Sequence, residues 1–115
     1  MRRVVRQGAV APEFFSIFAE AGESGIDLST ATSATIEVQL PDGTKLTWSG
    51  TLEDAAVVSV TVKHTFAAND ADLPVRGKYI VYAHVVTASS AFRTEPERLD
   101  VLGKFDVEDL FHDPL

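Results

Sequence analysis

The chain has 115 residues, no cysteine and a formal net charge of −7. That length makes one domain able to bury roughly two thirds of its unfolded surface, so neither metal nor disulfide is needed to hold it. The missing cysteines exclude thiolate metal sites, disulfide frameworks and cysteine nucleophiles, and the acidic balance argues against a duplex-DNA binder.

The apolar period is two nearly throughout, with β-branched residues dominant, which predicts strands rather than helices. In chain order, a weak extended segment covers 2–6 and strands are expected at 13–20, 33–40, 44–49, 56–66, 78–88 and 97–105. "AGESG" at 21–25 reads as a loop, and "DLST" at 27–30 leads into the next strand. "PDG" at 41–43 joins two alternating runs as a hairpin, with Gly43 placed for positive φ. "NDADLPVRG" at 69–77 is a longer connection, and "TEP" at 94–96 bends the chain before the last strand. All five prolines fall between strands or at an end, where a missing N–H is harmless. Only the tail has helical spacing, in Val107, Leu110 and Phe111. Turns every 8–12 residues predict an all-β fold, an antiparallel immunoglobulin-like β-sandwich of about seven strands. The expected organisation is an N-terminal arm at 1–12, a sandwich at 13–105 and a short C-terminal tail at 106–115. "RGKY" places Tyr79 at the start of a late strand, where a tyrosine corner would bond its hydroxyl to backbone upstream.

Alternation assigns the faces. The expected core rows are Ile36, Val38, Leu40; Leu46, Trp48; Val58, Val60, Val62, His64, Phe66; Tyr79, Val81, Ala83, Val85; and Leu99, Val101, Phe105. The opposite rows of 33–40, 44–49 and 56–66 are polar, as a wet face requires. Two strands break that pattern. The strand at 78–88 puts Ile80, Tyr82, His84 and Val86 outward, and the strand at 13–20 has Phe14 and Phe18 opposite Phe15 and Ile17. If the two strands are neighbours, these residues make an apolar patch larger than monomers ordinarily carry, and subunit contact is the expectation.

The ends carry opposite charge. The arm holds Arg2, Arg3 and Arg6 with no acid, while 106–115 hold Asp106, Glu108, Asp109 and Asp113. Arm and tail, through Arg2, Arg3, Arg6, Val107, Leu110 and Phe111, are therefore expected to dock on neighbours. The sequence carries no catalytic motif: no G-x-S-x-G, P-loop, H-E-x-x-H or glycine-rich dinucleotide turn. His64 and His84 lack histidine or cysteine partners at ligand spacing, and His64 reads as a strand-end histidine with a backbone partner. Asn69, Asp70 and Asp72 make an oxygen-rich loop without the full calcium pattern. Trp48, Tyr79 and Tyr82 are the aromatics that would stack a sugar, although two of them fall on core rows. No cofactor and no metal is expected. No apolar run is long enough to span a membrane, and "MRRVVRQGAV" lacks the core of a signal peptide, so the chain is expected to stay in the cell that makes it.

"IDLSTATSATIEVQLPDGTKLTWSG", the strand "GKYIVYAHV" and "RTEPERLDVLGKF" together resemble the small immunoglobulin-like structural domains of tailed bacteriophages. The pattern is similar to the N-terminal domain of phage upper-baseplate proteins, over roughly residues 7–105. The shared features are a D-L-(S/T) lead-in, a P-D-G hairpin, a G-x-Y strand and a last strand after a threonine/proline corner. The chain is expected to depart from that family in lacking a receptor-binding part after the domain. The resemblance implies a non-enzymatic virion protein, an adaptor or ring-forming subunit of tail, neck or baseplate. Its partners would be copies of itself and other virion proteins, with no nucleic acid, membrane or small-molecule substrate. The alternative from another class is a small carbohydrate- or calcium-binding module.

Overall fold

The computed structural model describes residues 3–9, 13–22, 25–66 and 72–103. Among the described residues there are eight strands, in chain order β1 Val4–Arg6, β2 Phe14–Glu20, β3 Ser33–Gln39, β4 Lys45–Glu53, β5 Ser59–Thr65, β6 Gly77–Val86, β7 Ala91–Arg93 and β8 Glu97–Leu102. A 3-10 turn, Leu28–Thr30, precedes β3, and the Asp27 side chain caps it by accepting from the Ser29 amide at 2.9 Å. One sheet runs β1-β8-β6-β3-β4 and the other β4-β5-β2, with β7 continuing beside β6. The chain is thus the all-β, immunoglobulin-like sandwich that its turn spacing predicts. One pairing departs from the antiparallel expectation: β1 lies parallel to β8, with Val5 opposite Val101.

The two sheets share β4. Residues 45–50 pair with β3, and residues 51–53 turn away to pair with β5. The expected end of this strand at 49 is therefore too early. Gly50 sits at the crossing. A Cβ there would come within 2.7 Å of the Val62 side chain and 2.9 Å of the Ala34 carbonyl oxygen, so only glycine lets the two sheets approach at that point. The β3–β4 hairpin closes as "PDG" predicts, with Gly43 at φ 90°. The Thr44 amide donates to Asp42 at 2.9 Å, and this bond first, then the Thr44 hydroxyl, holds the Asp42 carboxyl below the ordinary aspartate range.

Between the sheets lie Ile17, Ile36, Val60, Val62, Tyr79, Val81, Val85, Leu99 and Val101, all essentially inaccessible to water. Each such side chain contributes roughly 1.5–3 kcal/mol when fully buried. Trp48 anchors one end, edge-on to Phe15 at 6.0 Å and to Phe66 at 5.5 Å between ring centroids. The tyrosine corner forms as expected: the Tyr79 hydroxyl donates to the Val75 carbonyl and accepts from the Val75 amide. Burial pushes this hydroxyl above the ordinary tyrosine range, partly offset by the Val75 bond.

One core assignment changes and one is not described. Val58 is 60% exposed, because the backbone turns before β5 begins, closed by the Ala56 amide on the Ser59 carbonyl, and the Val57 and Val58 carbonyls accept from Leu28 and Ala21. Phe105 lies outside the described residues. The last strand is interrupted between β7 and β8. Thr94 spans the break: its hydroxyl accepts from the Ala83 amide at 2.9 Å and its own amide donates to the Ala83 carbonyl at 3.0 Å. Pro96, which has no N–H, follows.

Two substitutions test this architecture by urea unfolding. Gly50→Ala is expected to cost about 1–3 kcal/mol through overpacking against Val62 and Ala34. Tyr79→Phe is expected to cost about 1–3 kcal/mol by orphaning the Val75 groups.

Candidate docking surfaces

The centre of the first sheet carries the apolar row on its outer side. In the ladder, Ile80 faces Gln39 of β3, Tyr82 faces Glu37, His84 faces Thr35 and Val86 faces Ser33. On the other flank, Ile80 faces Arg98, and His84 faces Arg93. The row is thus an apolar stripe one residue wide, set between polar neighbours. Ile80 is 41% exposed and Val86 37%, while Tyr82 and His84 are half-buried. The Arg93 guanidinium lies 5.7 Å from the Tyr82 ring centroid, within cation–π range. A shallow groove runs beside the stripe, bordered by Glu37, Gln39, Lys45, Ile80, Tyr82 and Pro96. On β3, Glu37 is held by the hydroxyls of Thr35 at 2.8 Å and Thr47 at 3.4 Å, which fixes an acid at the rim.

Phe14 and Phe18 are 53% and 60% exposed, on the outer side of β2 as alternation predicts. They do not join the β6 stripe. β2 belongs to the β4-β5-β2 sheet and pairs with β5, so its outward residues face away from those of β6. The single patch expected from the sequence is two surfaces. On one of them Lys63 lies 4.4 Å from the Phe14 ring centroid. Phe18 instead borders a second groove with Glu20, Phe92, Arg93, Glu95 and Glu97, between the edge of β2 and the broken β7–β8 strand.

The arm is also corrected. It is expected to reach for neighbours, yet Val4–Arg6 is a strand of the domain itself. Arg3 pairs with Glu97 at 3.2 Å and lies 4.0 Å from the Phe15 ring centroid; Arg6 donates to the Gly103 carbonyl at 2.9 Å. Gln7 donates to the Leu73 carbonyl at 3.0 Å. These long-range bonds tie residues 3–7 to their own sandwich. Arg2 and the tail residues Val107, Leu110 and Phe111 lie outside the described residues.

The other candidates are placed as follows. Trp48 and Tyr79 are buried in the core, which leaves Tyr82 alone facing outward and dismantles the sugar platform. His64 has the expected backbone partner, the Ser49 carbonyl, at 2.8 Å. Its second contact, with Asp72 at 3.0 Å, joins two residues across a connection and has no local signature. Asn69 and Asp70 lie outside the described residues. Among the described residues no group of three His, Asp or Glu side chains is disposed to hold a metal, and no helix is long and apolar enough to cross a membrane. Sequence reasoning missed the groove beside Ile80, since Pro96 and Lys45 reach it only through the sheet order.

No family model and no curated protein matches the chain. Among solved structures it is similar to CopC from Methylosinus trichosporium OB3b, at 13% identity and a TM-score of 0.47, over 92% of this chain and 88% of that one. A likeness of that size carries no functional weight.

If the stripe is surface in the isolated chain, Ile80→Thr with Val86→Thr should lower stability by no more than about 1 kcal/mol in total. Val81→Thr, one position away and fully buried, should cost about 1–3 kcal/mol by burying a hydroxyl. Thermal melting of the purified variants distinguishes the two positions.

Proposed function

We propose that this chain is a non-enzymatic structural protein of a tailed-phage virion, an adaptor or ring-forming subunit of the tail, neck or baseplate. The observation that supports this most is the apolar stripe on β6. That strand is central, flanked by β3 and β8, and its outward row should be its wettest. It carries Ile80, Tyr82 and Val86 instead. Interface centres are more apolar than their rims and favour tyrosine over lysine and glutamate. The resemblance of the "DLST", "PDG" and "GKY" segments to phage structural domains supplies the class of assembly.

In this reading function is docking. The stripe packs against a neighbouring virion protein or a copy of the chain, while Glu37, Arg93 and Arg98 form a polar rim that sets register. Arg3 and Arg6 are spent within the domain, so docking falls to the sheet faces rather than to the arm. If copies pair with copies, the interface repeats around a symmetry axis.

The test is Tyr82→Lys, read by recovery of the chain in particles and by sedimentation of the purified protein. Lysine is chosen because Glu37 stands opposite Tyr82 in the ladder and tolerates a cation in the monomer. Under a partner the ammonium would be desolvated, so assembly should fall roughly tenfold or more while the melting temperature of the monomer barely moves. Tyr79→Lys, on the core side, should unfold the domain. Unchanged assembly with Tyr82→Lys would sink the reading.

A further inference from the structure

Two oxygens meet the imidazole of His64. Nδ1 lies 2.8 Å from the Ser49 carbonyl oxygen on β4, and Nε2 lies 3.0 Å from Asp72 Oδ2 in the segment before β6. Each contact needs a hydrogen. A neutral imidazole has one N–H and one lone pair, so with an ionised carboxylate one of the two contacts would set lone pair against lone pair. Both are satisfied when the cluster holds one proton more than a neutral imidazole plus a carboxylate. An imidazolium bridging carbonyl and carboxylate meets that count.

The site is enclosed. Trp48 stacks on the imidazole at 5.1 Å with planes 15° apart, and Phe66 stands edge-on at 5.6 Å. Phe15 of β2 is its ladder partner. The side chains of His64 and Asp72 are 8% and 17% exposed. Asp72 is the charged group in contact with the ring; β4 presents Trp48 and Ser49, and on the β2 side the Arg3 guanidinium lies over the Phe15 ring.

The segment that Asp72 begins is fastened by side chains. Trp48 Nε1 donates to the Asp72 carbonyl at 3.1 Å, Gln7 holds Leu73, and Tyr79 holds Val75. Of these fastenings, the one to His64 uses the side chain type that changes charge near neutral pH.

We propose that His64 and Asp72 form a proton-operated clasp that fixes the segment before β6 to the sandwich and loosens as pH rises. The sign follows from proton count. The bridged arrangement holds one proton more than a neutral imidazole with a carboxylate, and stability falls with rising pH wherever the folded chain binds more protons than the unfolded one. The clasp is independent of the docking surfaces.

The test compares the full chain with His64→Gln and Asp72→Asn by thermal melting from pH 5.5 to 8.5, with ¹⁵N NMR of the imidazole in the unsubstituted chain. His84 and His112 are common to all three proteins and cancel in the differences. The advantage of the unsubstituted chain over each variant is expected to shrink by several degrees, on the order of 5 °C, across that range. Its folding constant should fall by at most about tenfold per pH unit relative to the variants. Both imidazole nitrogens should carry hydrogen at pH 5.5. A constant difference across the range, or one bare nitrogen at pH 5.5, overturns the proposal; the NMR measurement decides even if a variant does not fold.

Discussion

The two sheets depend on one strand that belongs to both. β4 pairs with β3 along its first part and with β5 along its last, so its course decides where the sheets part and how closely they can approach. Alternation runs through the crossing unbroken, with Leu46, Trp48 and Leu52 on the side of the core. That continuity places Trp48 against Phe15 of β2 and Phe66 beyond β5, linking the sheets through aromatic contact at the end where they join. The absence of a side chain at Gly50 is the local condition for all of this, since Val62 and the Ala34 carbonyl occupy the space that a Cβ would need.

Away from that shared strand, the sandwich is held by bonds between segments distant in sequence. Residues 3–7 reach Glu97, Leu102, Gly103 and Leu73, and the segment before β6 is tied by Trp48, His64, Gln7 and Tyr79. These bonds order the chain ends and connections without lengthening any strand. They also explain why basic residues near the N-terminus, which on charge alone suggest an outward reach, turn inward: Arg3 finds both a carboxylate and an aromatic face within its own domain.

What could be read from the residues was what local chemistry determines. "PDG" closes a hairpin because Gly43 accepts positive φ, and Tyr79 two residues after Gly77 forms its corner with Val75. Period-two alternation assigned both outward rows correctly. The failures are all of longer range. Whether Phe14 and Ile80 share a surface depends on sheet order, which alternation does not encode. The parallel pairing of β1 with β8 joins residues nearly a hundred positions apart. The strand expected to end at 49 continues through Gly50 to Glu53, because its last residues pair with β5 rather than β3. Val58 sits in an apolar run whose period continues although the ladder has not yet begun. The meeting of His64 with Asp72 belongs to the same class, a contact made by the path of a connection.

The break between β7 and β8 has a consequence for the behaviour of the molecule in a crowd of its own copies. A sandwich open along one side offers lengths of unpaired backbone to any passing strand, and such edges seed fibrous aggregates. Here Thr94 satisfies the Ala83 amide with a hydroxyl, and Pro96 withdraws a donor from the sequence that would otherwise run straight from Ala91 to Leu102. A foreign strand laid along that side would find its hydrogen-bonding register interrupted within three residues of β7. The β7–β8 side is thereby a poor template for strand addition.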